Sequence, residues 1–298
     1  MKTTGTNATG TDTLGTDTLG TDTLGTDTLG TNATDAAGTD IEGRVALVTG
    51  AGQGVGRQVA LDLAARGAGA VLVNDVDAAR ADAVAAEIRG LGGTATGVAC
   101  DVTDYDAVGA MFARARDAHG PVGVLVNNAG NQGGGGAAPP ALPFWEQGPE
   151  HWSPSLGVNL HGVLNCARHA LAQMVEAGAG GRIVTVISDA GRVGETGGLE
   201  AYSAAKAGAA GLTRALARAG GRYAVTANSV ALGATRTPAT DAYLADPALR
   251  KQLLSRYLVR RIGEPSDASA MIVFLASRGA SWITGQTMPV NGGYSVAL

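Results

Sequence analysis

The sequence predicts an α/β fold: a single-domain, doubly wound parallel sheet of about seven strands with helices on both faces. Three observations carry that expectation. Short, nearly continuous apolar runs recur from residue 44 onward, as parallel strands covered on both faces require. Ala-rich amphipathic stretches separate those runs. The first run ends in a glycine-rich turn that opens directly into a helical pattern.

The elements follow in order. The strand candidates are Val45–Thr49, Ala70–Asn74, Ala95–Ala99, Val124–Asn127, Ile183–Ile187, Thr226–Val230 and Thr287–Val290. Helical stretches fall between them, notably Asp77–Leu91, Asp104–Ala118 and Ala201–Arg218. Asp77 and Asp104 stand where a short side-chain oxygen can accept the first free amides of a helix. The sheet therefore belongs to residues 44–298 alone.

Residues 1–43 differ in kind. Four copies of Thr-Asp-Thr-Leu-Gly run from Thr11 to Gly30, flanked by Asn-Ala-Thr at 7–9 and 32–34. Their few leucines cannot offset the entropy of ordering, so the segment reads as a disordered low-complexity tail, with a spacer or targeting role as the alternative. Four five-residue copies are too few for a stacked solenoid. Ile41-Glu42-Gly43-Arg44 reads either as a protease-cleavage linker or, the preferred reading, as the approach to the first strand.

Composition excludes several classes. The 298 residues carry a net charge of −4, which argues against a nucleic-acid binder. The tail holds one basic and seven acidic residues, leaving 21 basic and 19 acidic in the nearly neutral remainder. Two cysteines, Cys100 and Cys166, make no disulfide scaffold and read as buried apolar residues. No apolar run approaches the ~20 residues of a membrane span. Lys2 is followed by threonines and glycines rather than by a signal core, so a cytoplasmic protein is expected. His119, His151, His161 and His169 lack metal-ligand spacing, and no metal is expected.

The glycine-rich turn is Thr49-Gly50-Ala51-Gly52-Gln53-Gly54-Val55-Gly56. Glycines between a strand and a helix let backbone amides approach a pyrophosphate at the positive end of the helix, the arrangement of a Rossmann-type site. Asp75, after the second strand, can accept both ribose hydroxyls of an adenosine and would repel a 2′-phosphate. No Lys or Arg occupies Gln53 or Val76, and Arg57 is expected to point away. NAD(H) is therefore expected over NADP(H), which stays possible. Asp101-Val102 and Asn128-Ala129-Gly130 close the third and fourth strands, at the edge where such sheets bind ligands. Asp101 suits the adenine edge or a simple turn.

Tyr202 and Lys206 stand four residues apart, on one face of a helix. A lysine ammonium beside a phenol lowers its pKa from about 10, allowing proton exchange with an alcohol. Ser188, just after the fifth strand, is placed to hydrogen-bond a substrate oxygen near Tyr202. Asn159, among apolar neighbours, must have polar partners if buried, and a water relay behind Lys206 would use it.

Together these motifs resemble the short-chain dehydrogenase/reductase family over residues 44–298. The resemblance implies that Gly50, Gly54 and Gly56 are the cofactor glycines and that Asn128, of the N-N-A-G motif, supports the sheet. It implies a catalytic tetrad of Asn159, Ser188, Tyr202 and Lys206, with Tyr202 and Lys206 also on the cofactor. Gly233 and Thr237, with Thr235 between them, match the segment that meets the carboxamide. Ile283-Thr284-Gly285-Gln286 and Val290-Asn291-Gly292-Gly293 resemble the C-terminal signature. Leu232 replaces the usual proline, which is expected to loosen the following loop. Asn291 replaces the usual aspartate, with little effect expected. The stretch between Ser188 and Tyr202 is one residue longer than in many 3-oxoacyl-acyl-carrier-protein reductases, so the loop 192–200 is reshaped.

The implied activity is hydride transfer between a secondary alcohol or ketone and NAD(H). The alternatives are an NADPH-dependent 3-oxoacyl-acyl-carrier-protein or carbonyl reductase, a non-catalytic dinucleotide sensor, and an assembly protein using the tail. Ser188 to Gly194 resembles hydroxyacyl-CoA dehydrogenases of alicyclic acids, so an acyl-CoA or cyclic alcohol substrate is implied. Arg192, Arg236, Arg260 and Arg261 could meet such an anion, although solvated surface charge is the preferred reading. The long 131–152 segment could line the pocket, or Trp145 and Trp152 could anchor it on the core, as preferred here. Family members are dimers or tetramers, and the small-residue face of 204–211 suits close packing between subunits.

Overall fold

The computed structural model describes residues 39–131, 142–238, 240–241 and 245–296. The chain divides into two units, residues 1–35 and 36–298, and all the described residues belong to the second. The expected disorder of the tail lies outside them, apart from residues 39–43. These five belong to the fold: Ile41 is buried in the core, and its amide donates to Arg66 O over 3.0 Å. The folded unit therefore starts ahead of the expected boundary at Arg44.

Seven strands form one sheet: β1 (Val45–Val48), β2 (Ala70–Asp75), β3 (Ala95–Ala99), β4 (Val122–Asn127), β5 (Gly181–Ser188), β6 (Val225–Leu232) and β7 (Thr287–Val290). Their order is β3-β2-β1-β4-β5-β6-β7, and every pairing is parallel. The expected doubly wound sheet is what forms. Asp75 is the last residue of β2 rather than the residue after it.

Side chains alternate between the two faces, as the pleat demands. Ala46 and Val48 pack with α1 (Gly54–Ala65), α2 (Ala78–Gly90) and the late helix Pro265–Ala276. Val45 and Leu47 pack on the opposite face with α3 (Tyr105–His119) and α5 (Gly162–Ala177). The caps work as expected: Asp77 Oδ1 accepts from the Ala79 and Arg80 amides, and Asp104 Oδ1 accepts from Ala107. Cys100 and Cys166 are free and buried.

Further helices among the described residues include α4 (Pro149–Leu156), the short α6 (Ala190–Val193), α7 (Glu200–Gly220), α8 (Pro247–Ser255) and α9 (Pro265–Ala276). A π-helical turn, Gly157–His161, joins α4 to α5. The order reverses between β1 and β4, and this is where an open sheet presents a crevice at its carboxyl edge. No helix among the described residues is long and apolar enough to cross a membrane.

Candidate active site

The crevice begins at the turn after β1. Gly50 and Gly54 adopt φ of +59° and +56°, a region that side chains disfavour. A Cβ on Gly56 would lie 2.3 Å from Gly50 O and 2.4 Å from Asn128 Nδ2. That amide donates to Thr49 O at 2.9 Å and Gly50 O at 3.0 Å, while Thr49 Oγ1 accepts from the amides of Asn128 and Ala129. The β1 and β4 turns are thus laced together, and Gly56 lets α1 approach them. Gln53 gives α1 no side-chain cap, and the first turn carries no acidic residue. Its free amides and positive end are available to a phosphate, so these residues fit a dinucleotide. Val55 is buried beneath this turn.

At the end of β2, Asp75 is buried and its carboxylate is held by several donors. Oδ2 accepts from Gly52 N at 3.0 Å, and Oδ1 accepts from Asp77 N at 3.0 Å and from Arg80 at 2.7 and 3.3 Å. Arg80 escaped the sequence reading, which looked for a cation only beside the glycines and directly after the strand. Arg57 does point away, to Glu87. Asp101 is exposed, and its carboxylate accepts from Thr103 N at 2.9 Å, the turn-forming alternative. Val102 is buried with its carbonyl held by Asn165.

The catalytic candidates converge from three elements. Ser188 ends β5, its hydroxyl accepts from Ala190 N at 3.2 Å, and it lies near enough to Tyr202, in the first turn of α7, to act on that phenol. Lys206 follows one turn later, 4% exposed, with Nζ donating to Val186 O at 2.9 Å. Asn159, in the π-helical turn and fully buried, donates through Nδ2 to Asn131 O at 2.7 Å and Ser155 O at 2.9 Å. Its Oδ1 has no partner among the described residues. A Cβ on Gly130 would lie 2.8 Å from Asn159 Oδ1 and 3.2 Å from Lys206 Nζ, so the β4 turn meets both groups.

The electrostatics differ from expectation. Burial raises the Tyr202 phenol above its ordinary value, and the nearby Ser188 hydroxyl opposes that rise. Lys206 Nζ stands 5.7 Å from the Tyr202 ring centroid and gives its hydrogen bond elsewhere. Burial lowers Lys206 itself to about 8. The i, i+4 spacing puts both groups on one face, but side-chain direction decides whether they touch.

The far wall is built by 233–237. Thr237 Cγ2 would lie 3.3 Å from a Cβ on Gly54, so this segment reaches across to α1. Thr235 Oγ1 donates to Gly233 O, and Thr235 pairs with Gly263. Gly233 sits against Asn291 and the Tyr257 ring. Leu232 itself is held in β6, where it pairs with Ser188 and Val290 and its carbonyl accepts from Asp189 N. Trp145 is 84% exposed and anchors nothing on the core, whereas Trp152 stacks on Phe144. Three of the four arginines considered for a substrate anion pair internally: Arg192 with Asp189, Arg236 with Glu264 and Arg261 with Asp267. The fourth, Arg260, is exposed. No group of metal-ligating residues occurs among the described residues.

Known proteins share this framework. The family described as enoyl-(acyl carrier protein) reductase matches residues 50–295. The cis-4-hydroxycyclohexanecarboxylate dehydrogenase of Sinomonas cyclohexanicum is 41% identical over 252 residues, 85% of this chain and 96% of that one. The (2S)-[(R)-hydroxy(phenyl)methyl]succinyl-CoA dehydrogenase subunit BbsD of Thauera aromatica is 39% identical over 259 residues, 86% of this chain and 98% of that one. A 7α-hydroxysteroid dehydrogenase, solved with NADH and 7-oxoglycochenodeoxycholic acid, superposes with a TM-score of 0.78 at 32% identity, covering 86% of this chain and 95% of that one. On these matches the chain belongs to the short-chain dehydrogenase/reductase family and is an oxidoreductase of the alcohol dehydrogenase or ketoreductase kind.

Proposed function

We propose that the protein interconverts a cyclic secondary alcohol, or a hydroxyacyl thioester, and the corresponding ketone, preferring NAD(H). The observation that carries this reading is the gathering of Ser188, Tyr202, buried Lys206 and buried Asn159 at one end of β5, with Lys206 Nζ 5.7 Å from the Tyr202 ring centroid. When bound, the nicotinamide supplies the hydride acceptor or donor. Tyr202 exchanges the proton with the substrate oxygen, and Ser188 holds that oxygen in hydrogen-bond reach of it. Lys206 places a cation behind Tyr202, which favours the phenolate as the proton leaves. Asn159 Oδ1, facing Gly130 beside Lys206, completes a proton path to solvent. Asp75 favours NAD(H) by accepting the adenosine ribose hydroxyls.

The substrate class is supported by the relatives, one named for a hydroxycyclohexanecarboxylate and one for a succinyl-CoA derivative. A second reading, an NADPH-dependent 3-oxoacyl-acyl-carrier-protein reductase, is favoured by the acyl-carrier-protein description of the matched family. The exposed apolar groove between α5 and α7, lined by Leu164, Leu171, Leu212 and Leu216, suits a second copy in a homodimer or homotetramer.

The test is a panel of cyclic alcohols, 3-hydroxyacyl-CoAs and simple secondary alcohols with NAD, run on the wild type and on Tyr202→Phe. The wild type should reduce NAD with a cyclic or thioester substrate. Loss of general acid–base catalysis should cost Tyr202→Phe about 10²- to 10⁴-fold in kcat. NADH binding should be nearly unchanged. Substantial retained turnover would remove Tyr202 from the role, and no turnover with any alcohol would leave the sensor reading.

A further inference from the structure

We infer that Glu195 is a positioning residue for the substrate side of the site: its side chain clamps the C-terminal turn and the end of α8, while its backbone is tied to α7 beside Tyr202. The inference rests on the reading of Tyr202 as the residue that exchanges the substrate proton.

Four observations carry it. First, the loop that holds Glu195 has little stiffness of its own. It runs from α6 to α7, and the glycines at 194 and 197 adopt φ of +76° and +73°, so it needs outside anchors. Second, the Glu195 backbone has such an anchor. Its amide donates to Ser203 Oγ at 3.0 Å, and Ser203 is buried next to Tyr202 in the first turn of α7. Third, the Glu195 carboxylate gathers two segments distant in sequence. The Tyr294 hydroxyl donates to Oε1, and Arg256 Nη2 approaches the same oxygen to 3.8 Å. The Arg256 guanidinium also lies over the Tyr294 ring, 4.4 Å from its centroid, which closes a triangle of contacts. Burial and the neighbouring carboxylate push the Tyr294 phenol up to about 12, so it stays a donor at neutral pH. Fourth, the triangle reaches the wall across the site. The Tyr257 ring packs 5.2 Å from that of Tyr294, and its hydroxyl accepts from Ala234 N at 2.7 Å. Ala234 belongs to the 233–237 segment, whose Thr237 reaches α1. One carboxylate therefore connects the Tyr202 end of α7 to the segment that faces α1. Without it the end of α8 would open more often, and only the closed fraction would bind substrate tightly.

Amide hydrogen exchange of the full chain, read on peptides covering 190–203 and 245–257, measures the clamp without turnover. Oxidation of cyclohexanol and of 3-hydroxybutyryl-CoA at saturating NAD measures its effect on the site. The proteins are wild type, Glu195→Ala, Glu195→Gln, Tyr294→Phe, Arg256→Met and the Glu195→Ala, Tyr294→Phe double variant, each shown to be folded by thermal unfolding. Glu195→Ala and Tyr294→Phe should speed exchange in both peptides, and raise KM for the alcohol, by about 10- to 100-fold, the range for losing a hydrogen bond to a charged group. The kcat and the NADH affinity should change by less than about threefold, a split that a general loss of structure would not give. The double variant should match the single ones within about twofold, since either substitution removes the same bond. Glu195→Gln keeps an oxygen for Tyr294 and should recover most of the loss. Arg256→Met should cost about two- to fivefold, as an exposed ion pair and a cation–π contact do. Unchanged exchange over 245–257 in Glu195→Ala would overturn the inference, and so would equal losses of substrate and NADH affinity. A wild type that oxidises neither alcohol would count against the proposed activity, and the exchange measurement would still decide the clamp.

Discussion

Asn291 Nδ2 donates to Asp189 Oδ2 over 2.6 Å, joining the residue after Ser188 to the chain's last turn. Both side chains are buried. Asp189 also accepts from Arg192 at 2.8 Å and from Ser295 Oγ at 3.0 Å. Asn291 Oδ1 in turn accepts from Gly293 N at 2.9 Å. Asn291 stands where aspartate is usual, a replacement expected to have little effect; in this chain its amide is the donor that the Asp189 carboxylate takes.

Replacing that donor by a carboxylate sets two like charges in one buried site, where one must take up a proton or the contact must break. Asn291→Asp should therefore lose about 2–4 kcal/mol near neutral pH. The swapped double variant, Asp189→Asn with Asn291→Asp, restores one donor and one acid. It should recover most of the loss in denaturant unfolding. A double variant no more stable than Asn291→Asp would show that the amide–carboxylate pairing is not what holds the turn.

The fold was open to sequence reasoning because buried parallel strands are written as local apolar runs, and because Asp77 and Asp104 cap helices within three residues of themselves. The placing of the catalytic candidates was open for a related reason: Ser188, Tyr202 and Lys206 occupy fixed places at a strand end and on one helix. What stayed hidden depends on side-chain direction or on distant pairing. Arg80 reaches back five residues from α2 to the end of β2, so its approach to Asp75 is set by a strand–helix turn. Asp189 and Asn291 lie 102 residues apart, and nothing local marks them as partners. Lys206 shares a face with Tyr202 yet turns to the Val186 carbonyl, which only the packing of α7 on β5 decides.

Gly56 makes a second prediction. A methyl there would meet the Gly50 carbonyl at 2.3 Å and Asn128 Nδ2 at 2.4 Å. Neither can withdraw cheaply, since they hydrogen-bond each other at 3.0 Å. Gly56→Ala should destabilise the domain by about 1–3 kcal/mol, the cost of overpacking, and weaken NADH binding at least tenfold. Gly90, at the end of α2 with open space around it, is the control. Gly90→Ala should gain about 0.5–1 kcal/mol from reduced chain entropy and leave NADH binding alone. Fluorescence titration with thermal unfolding separates the two, and a Gly56→Ala protein with wild-type NADH affinity would remove Gly56 from the cradle.

Lys206 yields a prediction in which function and stability pull apart. Burial lowers its pKa from 10.5 to about 8 in the folded chain. Below about 8 both folded and unfolded chains carry the ammonium, and the folded one bears the cost of burying it. Between the two values the unfolded chain binds more protons, so this residue's contribution to stability rises with pH across that window. Lys206→Met removes the charge and fills the same slot, and replacing a buried charge by an apolar side chain of similar volume is often neutral or stabilising. The variant should melt at or above the wild type at pH 7, and its advantage should shrink as pH rises from about 8 toward 10.5. Turnover should collapse at every pH, because the cation behind Tyr202 is gone. Unfolding followed at several pH values in parallel with NAD reduction reads both arms. A variant several degrees less stable at pH 7, with a gap independent of pH, would mean that the Nζ–Val186 hydrogen bond outweighs the buried charge.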